Sequence, residues 1–296
     1  MRVKKLKGKI AVAFIRLFAL FPWCLVEKIG CLVGYLMWWF PNRSRQVALI
    51  NLSKCFPELS QPQINRLAKQ TLINQGKTLA ESACAWCWPP KKTLAVIKQV
   101  EGLDVLQRAI SSGKGAVGIT SHLGNWEILN HYYSSYCNPV IFYRPPKLKE
   151  LDDFLKIRRV QMGNRVAPST KEGILSVIKE IRRGGCAGIP ADPEPAKSSG
   201  VFVPFFATQV LTSKFVASMV AGHKAVAFVG HAIRLDDGSY KVIFEDVPNT
   251  IYSDDTAQGA AVMGKIIENC VRRWPTQYMW SMKRFKNRPE GEQRWY

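Results

Sequence analysis

From about residue 100 onward, short apolar runs alternate with amphipathic helical stretches, and few architectures accommodate that order. The apolar runs cover residues 115–120, 139–143, 186–190 and 225–235. The last of these returns through the turn Asp236-Asp237-Gly238 into a run over 240–247. Helical stretches lie between them at 103–111, 126–136, 148–162, 171–183 and 212–222, and a long one over 256–274 follows. Strands alternating with helices predict an α/β sandwich around a mixed central sheet. No internal repeat or low-complexity linker breaks the 296 residues. The simplest division is therefore an N-terminal helical anchor over 1–42 and one main domain over 43–296.

The anchor reading rests on charge and hydropathy together. Lys and Arg number 42 against 22 Asp and Glu, a formal net charge of +20, which calls for anionic partners. Before Glu58 the only acid is Glu27, while Arg2, Lys4, Lys5, Lys7, Lys9, Arg16, Lys28, Arg43, Arg45 and Lys54 are basic. The excess thus borders the most apolar part of the chain, residues 10–40, a pattern that holds protein to a negatively charged cytoplasmic leaflet. Arg16, Glu27 and Lys28 interrupt that run, so it has no clean stretch of the roughly 20 apolar residues a span needs. No small-x-small cleavage site follows it, and Pro22-Trp23 before Cys24 do not fit a lipoprotein site. The expectation is a helix with a basic start, then a second apolar helix ending in Trp38-Trp39-Phe40, embedded from the cytoplasmic side. A pair of core helices and a single span are the competing readings. Residues 44–88 read as helix, turning at Pro57 and Pro62 and stopped by Pro89-Pro90.

The eight cysteines lie at 24, 31, 55, 84, 87, 137, 186 and 270. Cys84 and Cys87 make one CxxC beside Trp86 and Trp88, without a second pair at zinc-ribbon spacing, and read as apolar packing. Free thiols fit a reducing compartment.

The chemistry concentrates in Thr120-Ser121-His122-Leu123-Gly124-Asn125-Trp126-Glu127, directly after the 115–120 run. On a regular helix, residues five apart point about 140° away from each other. His122 and Glu127 therefore meet only if His122 stays in the strand-to-helix turn and Glu127 lies in the first helical turn. Gly124 permits the sharp path and Asn125 caps the helix. In that arrangement Glu127 accepts one ring N–H, and the other ring nitrogen takes a proton from an attacking hydroxyl. The backbone N–H groups at the helix start are then placed to stabilise an oxyanion. His131, His223 and His231 read as structural. No metal or organic cofactor is implied.

Four blocks in order give this reading a family context. They are Ser121 to Glu127, Tyr143-Arg144-Pro145-Pro146, Gly200-Val201-Phe202-Val203-Pro204-Phe205-Phe206, and the tail from Tyr278-Met279-Trp280 through Lys283-Arg284-Phe285 to Glu292. In them, and over nearly its whole length, the chain resembles the bacterial lipid A biosynthesis acyltransferases, the lauroyl and myristoyl transferases of secondary acylation. The resemblance implies a glycerolipid acyltransferase-like fold, His122 and Glu127 as the catalytic dyad, and Arg159 and Asp192 as further functional positions. Arg158 competes with Arg159 for the arginine, and Arg144 is a third candidate phosphate contact, since a guanidinium grips phosphate bidentately. Asn125 is included as a substrate-side candidate. The implied donor is acyl carrier protein, the implied acceptor a Kdo-bearing lipid A precursor, both anionic, and the implied location the cytoplasmic face of the inner membrane. The 200–206 run reads either as the lining of an acyl channel or as a core segment.

Two departures stand out: Asp192-Pro193 where the family has Asp-Gln, and Phe206-Ala207 where it has Phe-Phe-Gly. The competing functions are a thioester or lipid hydrolase using the same dyad on water, and a related glycolipid or mannoside acyltransferase. A nucleic-acid module is disfavoured. The basic residues gather at an apolar N-terminus, and no helix-turn-helix, RRM or zinc-finger signature is present.

Overall fold

The computed structural model describes residues 2–296. The side chain of Arg2, counted above among the basic residues, lies outside the described residues. Four helices come first: α1 (Arg2–Phe18), α2 (Trp23–Trp39), α3 (Arg43–Cys55) and α4 (Gln61–Cys87), with a short α5 (Pro90–Leu94) after them. The remainder alternates: β1 (Ile97–Glu101), α6 (Leu103–Ser111), β2 (Ala116–Thr120), α7 (Trp126–Ser134), β3 (Val140–Tyr143), α8 (Lys149–Gln161), β4 (Arg165–Pro168), α9 (Lys171–Arg182) and β5 (Cys186–Pro190). Then come β6 (Gly200–Phe205), β7 (Thr208–Ser213), α10 (Phe215–His223), β8 (Val226–Arg234), β9 (Tyr240–Asp246) and α11 (Thr256–Arg273).

Seven strands form one sheet in the order β1-β9-β8-β2-β5-β3-β4, parallel except for the β8–β9 hairpin, so the central sheet is mixed as expected. β2 lies between β8 and β5 and is covered on both faces, which is why its sequence is apolar from Ala116 to Ile119. Alternate residues serve opposite cores. Val117 and Ile119 join the larger one with α3, α10 and α11, while Ala116 faces the smaller one with α6 and α7.

Several sequence expectations are corrected. Residues 212–222 do not form one helix: β7 runs through Thr212 to Ser213, and α10 starts only at Phe215. The 200–206 run is strand β6 up to Phe205, paired antiparallel with β7 as a separate hairpin, with Val203 and Phe205 buried in the larger core. The edge strands β1 and β4 were not anticipated.

The N-terminal helices are fastened to the body. Glycines bring α2 and α4 into backbone contact: a Cβ on Gly34 would lie 2.3 Å from the Ile73 Cα, and one on Gly76 would lie 2.3 Å from the Gly30 carbonyl. Glu27, the acid inside the apolar run, pairs with Lys77 of α4 at 2.7 Å. The indoles of Trp23 and Trp88 donate to the carbonyls of Gly238 and Ala19. Among the described residues no single helix is long and apolar enough to cross a membrane, and α2 with α3 reaches that length only as a pair bent by 77°. Cys84 packs in the cluster formed with Val26, Ala80 and Trp88.

Candidate active site

The register of two parallel strands builds the site. Thr120, the last residue of β2, is paired with Pro190, the last of β5. Two residues beyond that pair, the chain sets His122 beside Asp192. The Nδ1 of His122 lies 3.0 Å from one carboxylate oxygen, and its backbone N–H donates to the other at 3.0 Å. An ionised carboxylate only accepts, so Nδ1 carries the proton and Nε2 keeps its lone pair. The His122 side chain is 24% exposed and that of Asp192 0%. The ring therefore connects a buried acid to a small cleft lined by Thr78, Leu79, Trp126, Gln277 and Met279. The Trp126 ring meets the imidazole edge-on at 4.8 Å.

This environment displaces both ionisations. Burial pulls the His122 imidazolium down, but the charge and hydrogen bond of Asp192 outweigh it, and the net movement is upward. Burial raises Asp192, the His122 charge lowers it more, and the carboxyl ends below its ordinary range.

Glu127 does not take the place expected of it. It lies in the first turn of α7 and is fully buried, its carboxylate paired with Arg159 of α8 through both oxygens. Burial raises its carboxyl, and the Arg159 charge and hydrogen bond more than reverse this, so the group stays ionised. The imidazole and Glu127 thus have different partners. The turn at Gly124 aims His122 toward β5, while α7 points Glu127 beneath it toward α8. Arg159 rather than Arg158 is the arginine brought to the site. Arg158 reaches Gln161 and lies over the Phe154 ring, and Arg144 is exposed beyond β3.

Asn125 caps α7 as predicted, its carbonyl oxygen accepting from the amides of Glu127 and Ile128. It is fully buried, which sets it behind the site rather than on the substrate side. The amides of residues 124 and 125 donate to the carbonyls of Gln277 and Ala232. The amides of residues 124, 125, 127 and 128 are thus engaged, and of the expected oxyanion donors at this helix start only that of Trp126, which lines the cleft, has no partner among the described residues. Gly124 has φ +67°, and a Cβ there would lie 2.0 Å from the Ala232 carbonyl, so only glycine fits.

The networks around Arg234 and Arg284 had no forecast. Arg234, at the end of β8, donates to both oxygens of Glu81, to Asn74 and to Thr78, and Tyr240 donates to the same Glu81. Thr78 in turn donates to the Gly124 carbonyl, so this network steadies the turn that carries His122. Arg284 is buried, donates to the Asp192 carbonyl and lies 4.8 Å over the Phe205 ring. It places a positive charge behind the acid. Its Nε and Nη2 have no partner among the described residues. The one available signal was its position in the tail block. Ser121 Oγ and His231 Nε2 are 3.0 Å apart, and burial pushes His231 down to about 4, leaving a neutral structural ring. His131 Nε2 meets the Ala85 carbonyl at 2.6 Å.

Residues 4–287 match the family described as bacterial lipid A biosynthesis acyltransferase. The chain belongs to this family. It is similar to the lipid A biosynthesis lauroyltransferase of Escherichia coli, 28% identical across 91% of this chain and 88% of the relative. The palmitoleoyltransferase of the same organism is 28% identical over 93% and 89%, and the myristoyltransferase 22% over 90% and 82%. The protein is accordingly an O-acyltransferase. The acyltransferase's two departures from the family pattern can be placed in the fold. Asp192 keeps its carboxylate on His122 with Pro193 behind it. At the second departure Ala207 keeps φ outside the left-handed region, and the left-handed residue of the β6–β7 turn is Phe206, at φ +52°. Its ring compensates by packing on Phe56 and Trp280, with the Arg272 guanidinium 4.3 Å from its centre.

Proposed function

We propose that the protein transfers a fatty acyl chain, lauroyl or myristoyl, from acyl carrier protein to a hydroxyl on an acyl chain of a Kdo-bearing lipid A precursor. The carrying observation is the partly exposed imidazole whose Nδ1 is held by a buried carboxylate. Nε2 takes the acceptor hydroxyl's proton as its oxygen attacks the thioester carbonyl. The carrier thiolate then leaves and recovers the proton from the imidazolium. Asp192 holds the tautomer and stabilises the imidazolium, Arg284 offsets the charge of Asp192, and the Glu127–Arg159 pair braces α7 against α8. Arg144 is the exposed arginine available to an acceptor phosphate.

The N-terminal helices suit a membrane surface. On α1, Val3, Leu6, Ile10, Phe14 and Leu17 form one exposed stripe at helical spacing, with Lys4, Lys5, Lys7 and Lys9 among them. On α2, Leu32, Leu36 and Trp39 are exposed and Phe40 follows. This supports residues 1–42 as an anchor lying on the cytoplasmic leaflet.

The test is transfer of a radiolabelled acyl chain from acyl carrier protein to purified precursor. His122→Ala should abolish transfer while circular dichroism stays unchanged. Fatty acid released faster than acceptor is acylated would instead favour the hydrolase.

A further inference from the structure

A groove of about 880 Å³ runs between α1 and α8, outside the His122 cleft. The two helices are parallel along it, with Gly8 against the Glu150 side chain at one end and Arg16 over Phe154 at the other. Its charges are sorted by that geometry. Glu150 and Asp153 lie toward the first end, where Lys149 neutralises Asp153 at 2.8 Å. At the second end, Arg16 and Arg158 converge on one aromatic ring, their guanidinium carbons 5.7 and 5.2 Å from the Phe154 centroid. Neither has a carboxylate partner among the described residues, whereas Arg159, Arg165, Arg234, Arg273 and Arg288 each have one.

Two uncompensated guanidinium groups over one ring repel each other and attract an anion. The rest of the lining is Val12, Ala13 and Ile157 with two polar side chains, Lys9 and Gln161, the latter accepting from Arg158 at 2.9 Å. Around it Phe14, Leu17, Ile157 and Val160 are exposed. An acidic protein docked on the arginines would leave that rim in water, whereas a lipid covers it. We propose that this groove binds a phosphate-bearing lipid, with the phosphodiester between Arg16 and Arg158 and an acyl chain along Val12, Ala13, Phe154 and Ile157. The site is separate from the reacting groups and goes beyond the acyl-transfer reading, because it needs no turnover.

Native mass spectrometry of the full chain, released from neutral detergent after adding phosphatidylglycerol or phosphatidylcholine of matched chains, tests it. The expected result is a 1:1 phosphatidylglycerol adduct about tenfold more abundant than the phosphatidylcholine one. Arg16→Gln with Arg158→Gln should lose that preference, and Ala13→Trp, which fills the groove, should lose the adduct. Lys4→Gln with Lys5→Gln should keep it, as should His122→Ala, which separates this site from the reaction. Equal retention of both lipids, an adduct that survives the double arginine change, or a charge-dependent complex with acyl carrier protein in place of the lipid would overturn the proposal.

Discussion

His122 hydrogen-bonds Asp192, seventy residues further along the chain, through both its ring and its backbone, while Glu127, five residues away, faces Arg159. The orienting acid is therefore supplied by strand register. Asp192→Asn keeps the size of the side chain but no longer enforces the Nδ1–H tautomer. Transfer should fall by about 10²- to 10⁴-fold in kcat, with KM little changed. Steady-state kinetics at fixed donor concentration measures the split.

The pH dependence follows from the same contact. The base works only as neutral imidazole, and Asp192 raises its pKa, so activity should be lost as pH falls through a value above the ordinary 6.5. Removing the carboxylate leaves burial in command, and the acidic limb of Asp192→Asn should move to lower pH. For stability the signs differ. Glu127 and Asp192 are depressed, so their contribution is present above the ordinary carboxylate range and lost as pH falls through their folded values. That of His122, which is raised, is full below 6.5 and fades as pH rises through its folded value. Denaturant midpoints taken between pH 3 and 8 in wild type and Asp192→Asn read these terms directly.

Much of this was legible before the fold was known. The apolar 115–120 run placed His122 just past a strand, Gly124 marked the turn, and Asn125 marked the cap. Asp192 came only through family resemblance, because nothing local to His122 reveals that β5 lies beside β2 or that Thr120 faces Pro190. The same blindness to pairing hid β1 and β4, short edge strands. Residues 208–213 were harder still, because the strand β7 runs straight into α10 and only its pairing with β6 separates them.

Glu127 and Arg159 form a buried pair, and breaking one leaves the other charged and dry. Arg159→Met should cost about 3–5 kcal/mol of stability, seen in urea or thermal unfolding. Changing both, Glu127→Gln with Arg159→Met, should recover part of that loss. A double change as damaging as the sum of the single ones would contradict the pairing.

Gly124→Ala forces a side chain into the Ala232 carbonyl at a left-handed position. The expected outcome is a transfer rate reduced at least as much as by Asp192→Asn, with most of the fold retained. Wild-type activity in this variant would show that the turn tolerates other paths.

The most direct measurement is nitrogen-15 NMR of histidine-labelled protein, titrated from pH 5 to 9, with His122 assigned by its loss in His122→Ala. A neutral ring protonated on Nδ1, with a pKa above 6.5 that drops in Asp192→Asn and barely moves in Glu127→Gln, is the result predicted. An Nε2–H tautomer, or a pKa that follows Glu127 and ignores Asp192, would contradict the account.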